Sequence, residues 1–245
     1  MMMKKRCGII KNYGEWIRPK LVVNSLELLE KEIPRYKKKI KFVHLCFATD
    51  PFMYKYPEVS KLTLKIIDRL NKDNIRCVVL TKGFYPKSLK DKIKYGNNNE
   101  YGITLVSLKN NFKKQFEPFT APYRRRINSL KYLHRNGLKT WVSMEPYPTP
   151  NLIEQDLTKI LKQVSFVDKI IFGKLNYNVK SSQFIDNSNF YEKCAEKVVS
   201  FCRKNDIEYH IKFGTQKNFN KRTKKIFCKE ETNYNRQPAF SLLKS

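Results

Sequence analysis

The chain is short of acid. Against 50 lysines and arginines it sets only 22 aspartates and glutamates, for a formal net charge of +28. That imbalance favours a polyanionic partner such as nucleic acid, because each neutralised phosphate releases counterions. A lysine- and asparagine-rich composition without functional meaning accounts for the same excess, and charge alone speaks to association rather than to fold or chemistry. The basic residues gather at Arg35–Lys41, at Arg124–Arg126 and at 217–229.

Long apolar runs are also missing. None approaches the roughly 20 residues that a membrane helix needs, and the basic amino terminus has no apolar stretch beside it, so no secretory signal is expected. The six cysteines, Cys7, Cys46, Cys77, Cys194, Cys202 and Cys228, form neither CxxC pairs nor the framework of a small secreted domain. Cys46, Cys77, Cys194 and Cys202 fall in strand-like or helix-like stretches, as expected of buried thiols in a reducing cytoplasm. No Pro/Gly/Ser-rich linker divides the 245 residues. They read as one domain over 1–214, followed by a basic tail over 215–245. The tail lacks sustained periodicity, and its composition predicts disorder. Its basic residues interleaved with aromatics also suit single-stranded nucleic acid.

What the sequence does contain is a repeat of strand and helix signals. Strands are predicted at Lys41–Phe47, Arg76–Leu80, Gly102–Leu108, Thr140–Met144, Lys169–Phe172 and Glu208–Phe213, most of them ending in a polar residue or a glycine. Helices are predicted at 25–33, 57–72, 86–95, 122–136, 152–163 and 189–205. Over 57–72, Val59, Leu62, Ile66, Ile67 and Leu70 fall on one helical face. Strands separated by 10–20 residues of amphipathic helix need right-handed crossovers and a parallel sheet. The fold class is therefore α/β, as a parallel (β/α) barrel or a doubly wound sheet. Both place ligands at the carboxyl ends of the strands.

Those strand ends carry a family resemblance. ATDPFMYKYPE, LTKG, the long stretch from GITLVSLKNNF to SMEPYPTP and IIFGKLNYN, in that order and spacing, resemble a radical S-adenosylmethionine (radical SAM) protein of the spore photoproduct lyase-like group, from about residue 10 to about 215. The resemblance implies a partial (β/α) barrel, a [4Fe–4S] cluster, S-adenosylmethionine and an external electron donor. It also implies reductive cleavage of the cofactor to a 5′-deoxyadenosyl radical that removes a hydrogen atom from substrate. The family holds its cluster with a C-x3-C-x2-C loop after the first strand, because cluster irons take thiolates. The six cysteines here include no such triplet. Aligned on the family, the chain starts downstream of that loop, so the first strand and the cluster loop are expected to be missing and the 245 residues inactive on their own.

The resemblance also assigns site residues. A Ser-Asp pair that touches the cofactor falls on Thr49 and Asp50. A lysine at the next strand end falls on Lys82, whose compact ammonium suits the cofactor carboxylate, and a serine one strand later falls on Thr104. Taken as residues alone, Thr49-Asp50-Pro51 reads equally as a capped turn, and Thr81-Lys82-Gly83 as a solvated loop. Glu145, between strand and prolines, is placed to bind a ligand hydroxyl or amine, or a structural partner such as Arg124 or Lys139. Asn176, His210 and Lys212 come from the last two strand ends and would face substrate. The family's hydrogen-donor cysteine aligns with Phe47. Cys46 is one place away and would face the other side of a strand, so that role is not transferred. The competing hypothesis is a cluster-less, non-catalytic barrel that binds nucleic acid through its basic surface.

Overall fold

In the computed structural model, residues 8, 11–45, 49–176 and 178–216 are described. Two short helical segments, α1 (Tyr13–Trp16) and α2 (Ser25–Tyr36), precede a regular alternation: β1 (Val43–Leu45), α3 (Pro57–Lys72), β2 (Cys77–Thr81), α4 (Lys92–Tyr95), β3 (Glu100–Thr104), α5 (Asn110–Phe116), α6 (Tyr123–Arg135), β4 (Lys139–Tyr147), α7 (Leu157–Gln163), β5 (Lys169–Lys174), α8 (Val179–Ser182), α9 (Asn187–Lys204) and β6 (Glu208–Ile211). The six strands form one sheet whose spatial order is their chain order. Every neighbouring pair is parallel.

That order settles the choice between the two α/β architectures. A doubly wound sheet reverses its strand order at a switch point so that helices cover both faces. Here no reversal occurs, and right-handed crossovers keep the helices on one face. The sheet is a partial barrel, with β1 and β6 at its edges. One face of each strand packs against helices: Cys77 and Val79, Tyr101 and Ile103, Val142 and Met144, and Ile170 and Phe172 share a single buried cluster with Ile67, Leu70, Leu130, Leu133, Ala195 and Val198. Since side chains alternate along a strand, the opposite, concave face is formed by His44, Val78, Leu80, Gly102, Thr104, Trp141, Ser143, Glu145, Ile171, Gly173 and His210.

The helix over 57–72 forms with the predicted bounds and starts on Pro57, a residue preorganised for the first helical turn. Its buried stripe is Val59, Thr63, Ile67 and Leu70; Leu62 and Ile66 flank that stripe, half-buried. Thr63 belongs to the core side because its hydroxyl donates to the Pro51 carbonyl at 2.6 Å, which removes the cost of burying it. The single helix predicted over 86–95 is instead a 3-10 turn, Lys87–Lys90, followed by α4. The break falls at Asp91, whose extended backbone and side-chain bond to the Lys94 amide (3.1 Å) cap a new helix rather than continue the old one. The stretch 152–156 is not helical; Asp156 caps α7 and so fixes its start. Thr215, one residue past the expected domain boundary, is buried and accepts a bond from the Lys174 amide at 3.3 Å. The expected tail from 217 onward, and Cys46 and Phe47, lie outside the described residues.

Candidate functional site

The carboxyl ends of β1 and β2 are locked together by one side chain. The Asp50 carboxylate accepts from the Phe52 amide at 2.9 Å, from the Lys82 amide at 2.7 Å and from the Thr81 hydroxyl. A short acceptor just after a strand can satisfy amides that a turn leaves open, and Asp50 does so for two chain segments. Gly83 completes the joint. A Cβ there would fall 1.7 Å from the Phe52 carbonyl oxygen, so only glycine permits this approach of the two loops. Thr49, the other half of the aligned pair, is exposed.

Lys82 points to a different partner from the one the sequence suggests. Its ammonium lies 2.8 Å from the Glu117 carboxylate, and the second Glu117 oxygen accepts from Arg126 at 2.9 Å. Arg126 is 2% exposed. It also donates to the carbonyls of Ala121 (2.8 Å) and Thr104 (2.9 Å) and to the Thr120 hydroxyl (2.6 Å). The guanidinium fork thereby holds the end of β3, the loop before α6 and the carboxylate together. Burial on its own would push the Glu117 carboxyl up, but the Lys82 ammonium and then the Arg126 guanidinium outweigh it and hold the group below the usual glutamate range. Of the Arg124–Arg126 run, only Arg124 and Arg125 reach the surface. The third arginine is an internal brace.

On the concave face, two glycines make room for larger side chains from neighbouring strands. Trp141 of β4 lies over Gly102 of β3, where a Cβ would come within 2.3 Å of the indole. The indole is 6% exposed and its Nε1 has no partner among the described residues. Gly173 of β5 sits between Glu145 of β4 and Lys212, just beyond β6: a Cβ would fall 2.9 Å from Glu145 Cδ and 3.0 Å from Lys212 Cγ. Across that gap the Lys212 ammonium stands 3.7 Å from the Glu145 carboxylate. Lys212 is thus the charged partner of Glu145, in place of Arg124 or Lys139. The Glu145–Pro146 peptide is cis. His44 of β1 is exposed on the same face of the sheet, and partial desolvation and then the Lys212 charge lower its pKa. His210 is half-buried on β6, and Asn176 is exposed beyond β5.

Thr104 is buried, opposite Ser143 in the β3–β4 register. The sequence candidates therefore form two groups. Asp50, Lys82 and Thr104 belong to the rim layer braced by Glu117 and Arg126, whereas Glu145, Lys212 and His210 belong to the open side of the barrel. Glu117, Arg126, Trp141 and His44 were not singled out beforehand. Even Trp141 owes its place to Gly102 on the neighbouring strand, a pairing that no local pattern shows.

A [4Fe–4S] cluster requires several convergent thiolates. The described cysteines do not supply them. Cys77 is buried on the helix side of β2, and Cys194 and Cys202 are buried on α9. Burial pushes their thiols up, to about 12 for Cys77 and about 11 for the other two. Among the described residues no three His, Cys, Asp or Glu side chains lie together as a metal site, and no helix is long and apolar enough to cross a membrane.

An uncharacterized protein of Methanocaldococcus jannaschii is 27% identical over 210 residues, which are 80% of this chain and 78% of that protein. Among solved structures, spore photoproduct lyase complexed with dinucleoside spore photoproduct superposes with a TM-score of 0.54 at 12% identity, over 74% of this chain and 63% of that one. Streptococcus suis SuiB bound to S-adenosylmethionine gives 0.55 at 16% identity, over 80% of this chain and 45% of that one. A domain of pyruvate-formate lyase-activating enzyme from Bacteroides vulgatus gives 0.50 at 11% identity, covering 70% of this chain and 98% of the domain. At such identities these structures share the fold, and this chain spans less than two thirds of the first two. Residues 7–164, more than half of the chain, match the family model of the Radical SAM superfamily. Together with a parallel partial barrel whose polar residues collect at the strand ends, that match makes the protein a member of the radical SAM superfamily.

Proposed function

We propose that the open mouth of this barrel binds S-adenosylmethionine, and that the protein is a spore photoproduct lyase-like radical enzyme. The observation that carries the reading is the Glu145–Lys212 pair held over Gly173, 3.7 Å apart and partly exposed. A zwitterionic ligand with a carboxylate, an ammonium and a ribose diol needs one cation and one carboxylate within reach of each other, and this pair offers both. Lys82 offers a second cation at the rim, and Thr104 a hydroxyl on β3, the strand between β2 and β4. When bound and reduced by one electron, S-adenosylmethionine supplies a 5′-deoxyadenosyl radical. The described residues do not assemble a cluster-ligand set, so no step through a cluster is assigned to them. Their part is to bind and orient: Glu145 accepts from ligand ammonium or hydroxyl groups, and Lys82 and Lys212 receive the carboxylate.

Titration calorimetry with S-adenosylmethionine on the iron-free chain tests this reading. Binding is expected, with Glu145→Gln and Lys212→Met each weakening it about tenfold or more, as for loss of a charged hydrogen bond of ~1.5–3 kcal/mol. Absence of binding at millimolar cofactor, or unchanged affinity in both variants, overturns it. A second reading, nucleic-acid binding without catalysis, is favoured by the net charge of +28.

A further inference from the structure

Two loops and the first turn of α6 meet beside Lys82, and their side chains form a stack that the cofactor reading does not use. The Arg125 guanidinium lies 4.1 Å from the Phe84 ring centroid and 5.9 Å from that of Tyr54. The two rings meet edge to face at 6.3 Å, and the Lys55 ammonium sits 5.9 Å from Tyr54. Seven residues further along α6, Tyr132 carries the Lys87 ammonium at 5.7 Å. Residues i and i+7 lie on nearly the same face of a helix, about 10 Å apart along its axis. The two cation–aromatic groups therefore form a track running from the barrel mouth along α6.

The track is firmly built. The Lys82 carbonyl accepts from the Ala121 amide at 3.0 Å, and the Tyr85 amide donates to the Ser129 hydroxyl at 3.1 Å, so the Phe84 loop is tied on one side to the loop before α6 and on the other to α6 itself. Phe52 anchors the Tyr54 loop against Tyr85 at 5.2 Å. Lys55 holds a left-handed backbone (φ 70°), a conformation that non-glycine residues adopt at a cost. Among the described residues no carboxylate pairs with Lys55, Lys87 or Arg125, whereas Lys82 and Arg126 next to them share the Glu117 carboxylate. The charge that remains available therefore lies beside the exposed parts of aromatic rings.

We infer that this track, Tyr54, Lys55, Phe84, Lys87, Arg125 and Tyr132, binds single-stranded nucleic acid and leads it past the barrel mouth. A guanidinium held flat on a ring keeps its N–H edge free for a phosphate and loses little freedom on binding. Rings beside it offer faces on which unpaired bases stack, whatever their sequence. The inference deepens the second reading above by giving it a location.

The test is fluorescence anisotropy of a labelled 15-nucleotide oligo(dT), titrated with the full chain at several salt concentrations, with a 15-base-pair duplex and polyglutamate as competitors. Arg125→Ala/Lys87→Ala is expected to weaken binding at least tenfold. It should also lower the slope of log affinity against log salt by about 1.4, since two phosphate contacts to a single strand are lost at about 0.7 each. Tyr54→Leu, which leaves the charge unchanged, is expected to cost fivefold or more. Lys38→Ala/Lys39→Ala removes two charges at the amino-terminal end of β1, the opposite end of the barrel, and is expected to cost less than threefold. If the unmodified chain shows no salt-dependent binding, the second reading fails and the track with it. If it binds but the two double variants behave alike, only the location is overturned. Tyr54→Leu without effect, together with polyglutamate competing as well as oligonucleotide, assigns the surface to an acidic partner and overturns the stacking role.

Discussion

Replacing Glu117 with alanine should leave a buried guanidinium without its counter-charge, and the cost can be worked from its surroundings. Arg126 makes four hydrogen bonds, of which those to Ala121, Thr104 and Thr120 survive the substitution. The loss is one charged bond and the compensation of a cation that is 2% exposed. Breaking a buried pair by removing one partner costs ~3–5 kcal/mol. The surviving bonds argue for the lower end, about 3 kcal/mol, a large share of the ~5–15 kcal/mol that holds most domains folded. Lys82 is 38% exposed and can turn to water, so Lys82→Met should cost ~1 kcal/mol or less. Urea unfolding followed by circular dichroism reads both as shifts in midpoint at constant slope. The pH dependence has a definite sign. The Glu117 carboxyl is lowered from its ordinary value of 4.5, so the stability it contributes is fully present above that value and is lost as pH falls through the lowered folded value. Glu117→Ala should flatten that part of the acid limb. A loss below 1 kcal/mol with an unchanged acid limb would refute the brace.

The glycines of the concave face give two further tests. Gly173→Ala should push Glu145 and Lys212 apart, since its Cβ would stand 2.9 Å from the Glu145 carboxyl carbon. It should weaken S-adenosylmethionine binding at least tenfold at a stability cost of ~1–3 kcal/mol, and unchanged affinity would count against the pair as the binding element. Gly102→Ala should cost a similar amount of stability through Trp141, and Trp141→Phe should recover part of it in a double-mutant cycle; strictly additive costs would mean that the two residues do not meet in solution. The buried thiols give a chemical test. With pKa values pushed up to about 12 and 11, Cys77, Cys194 and Cys202 should resist iodoacetamide at pH 8 in the native protein and react in urea, as mass spectrometry of the peptides would show. Native labelling of Cys77 would contradict its place in the core.

The fold was legible because each strand or helix carries its own period. β-branched runs and 3.6-residue patterns are local, and six alternations of them admit few topologies. The misreadings share a cause, which is that a single polar side chain can redirect backbone without changing the hydrophobic pattern. Asp91 stops one helix and starts another. Asn99, on which the local pattern is silent, is fully buried, where its side chain accepts from the Cys77 amide at 2.7 Å and donates to the Tyr95 carbonyl. The candidate site was legible only by position. Asp50, Lys82, Glu145 and Lys212 are at strand ends, as the topology requires, but what each one touches depends on residues far away in the chain. Lys82 meets Glu117, 35 positions on, and Glu145 meets Lys212 only because Gly173 leaves the space between them. Charge shows the same separation. The triplet Arg124–Arg126 is uniform as sequence, but one helical turn sends its three members to different fates: one against its neighbouring tyrosine, one onto Phe84 and Tyr54, and one into the interior. A net charge of +28 therefore measures attraction for a polyanion, whereas where that polyanion settles depends on which cations the fold leaves unpaired beside an aromatic ring.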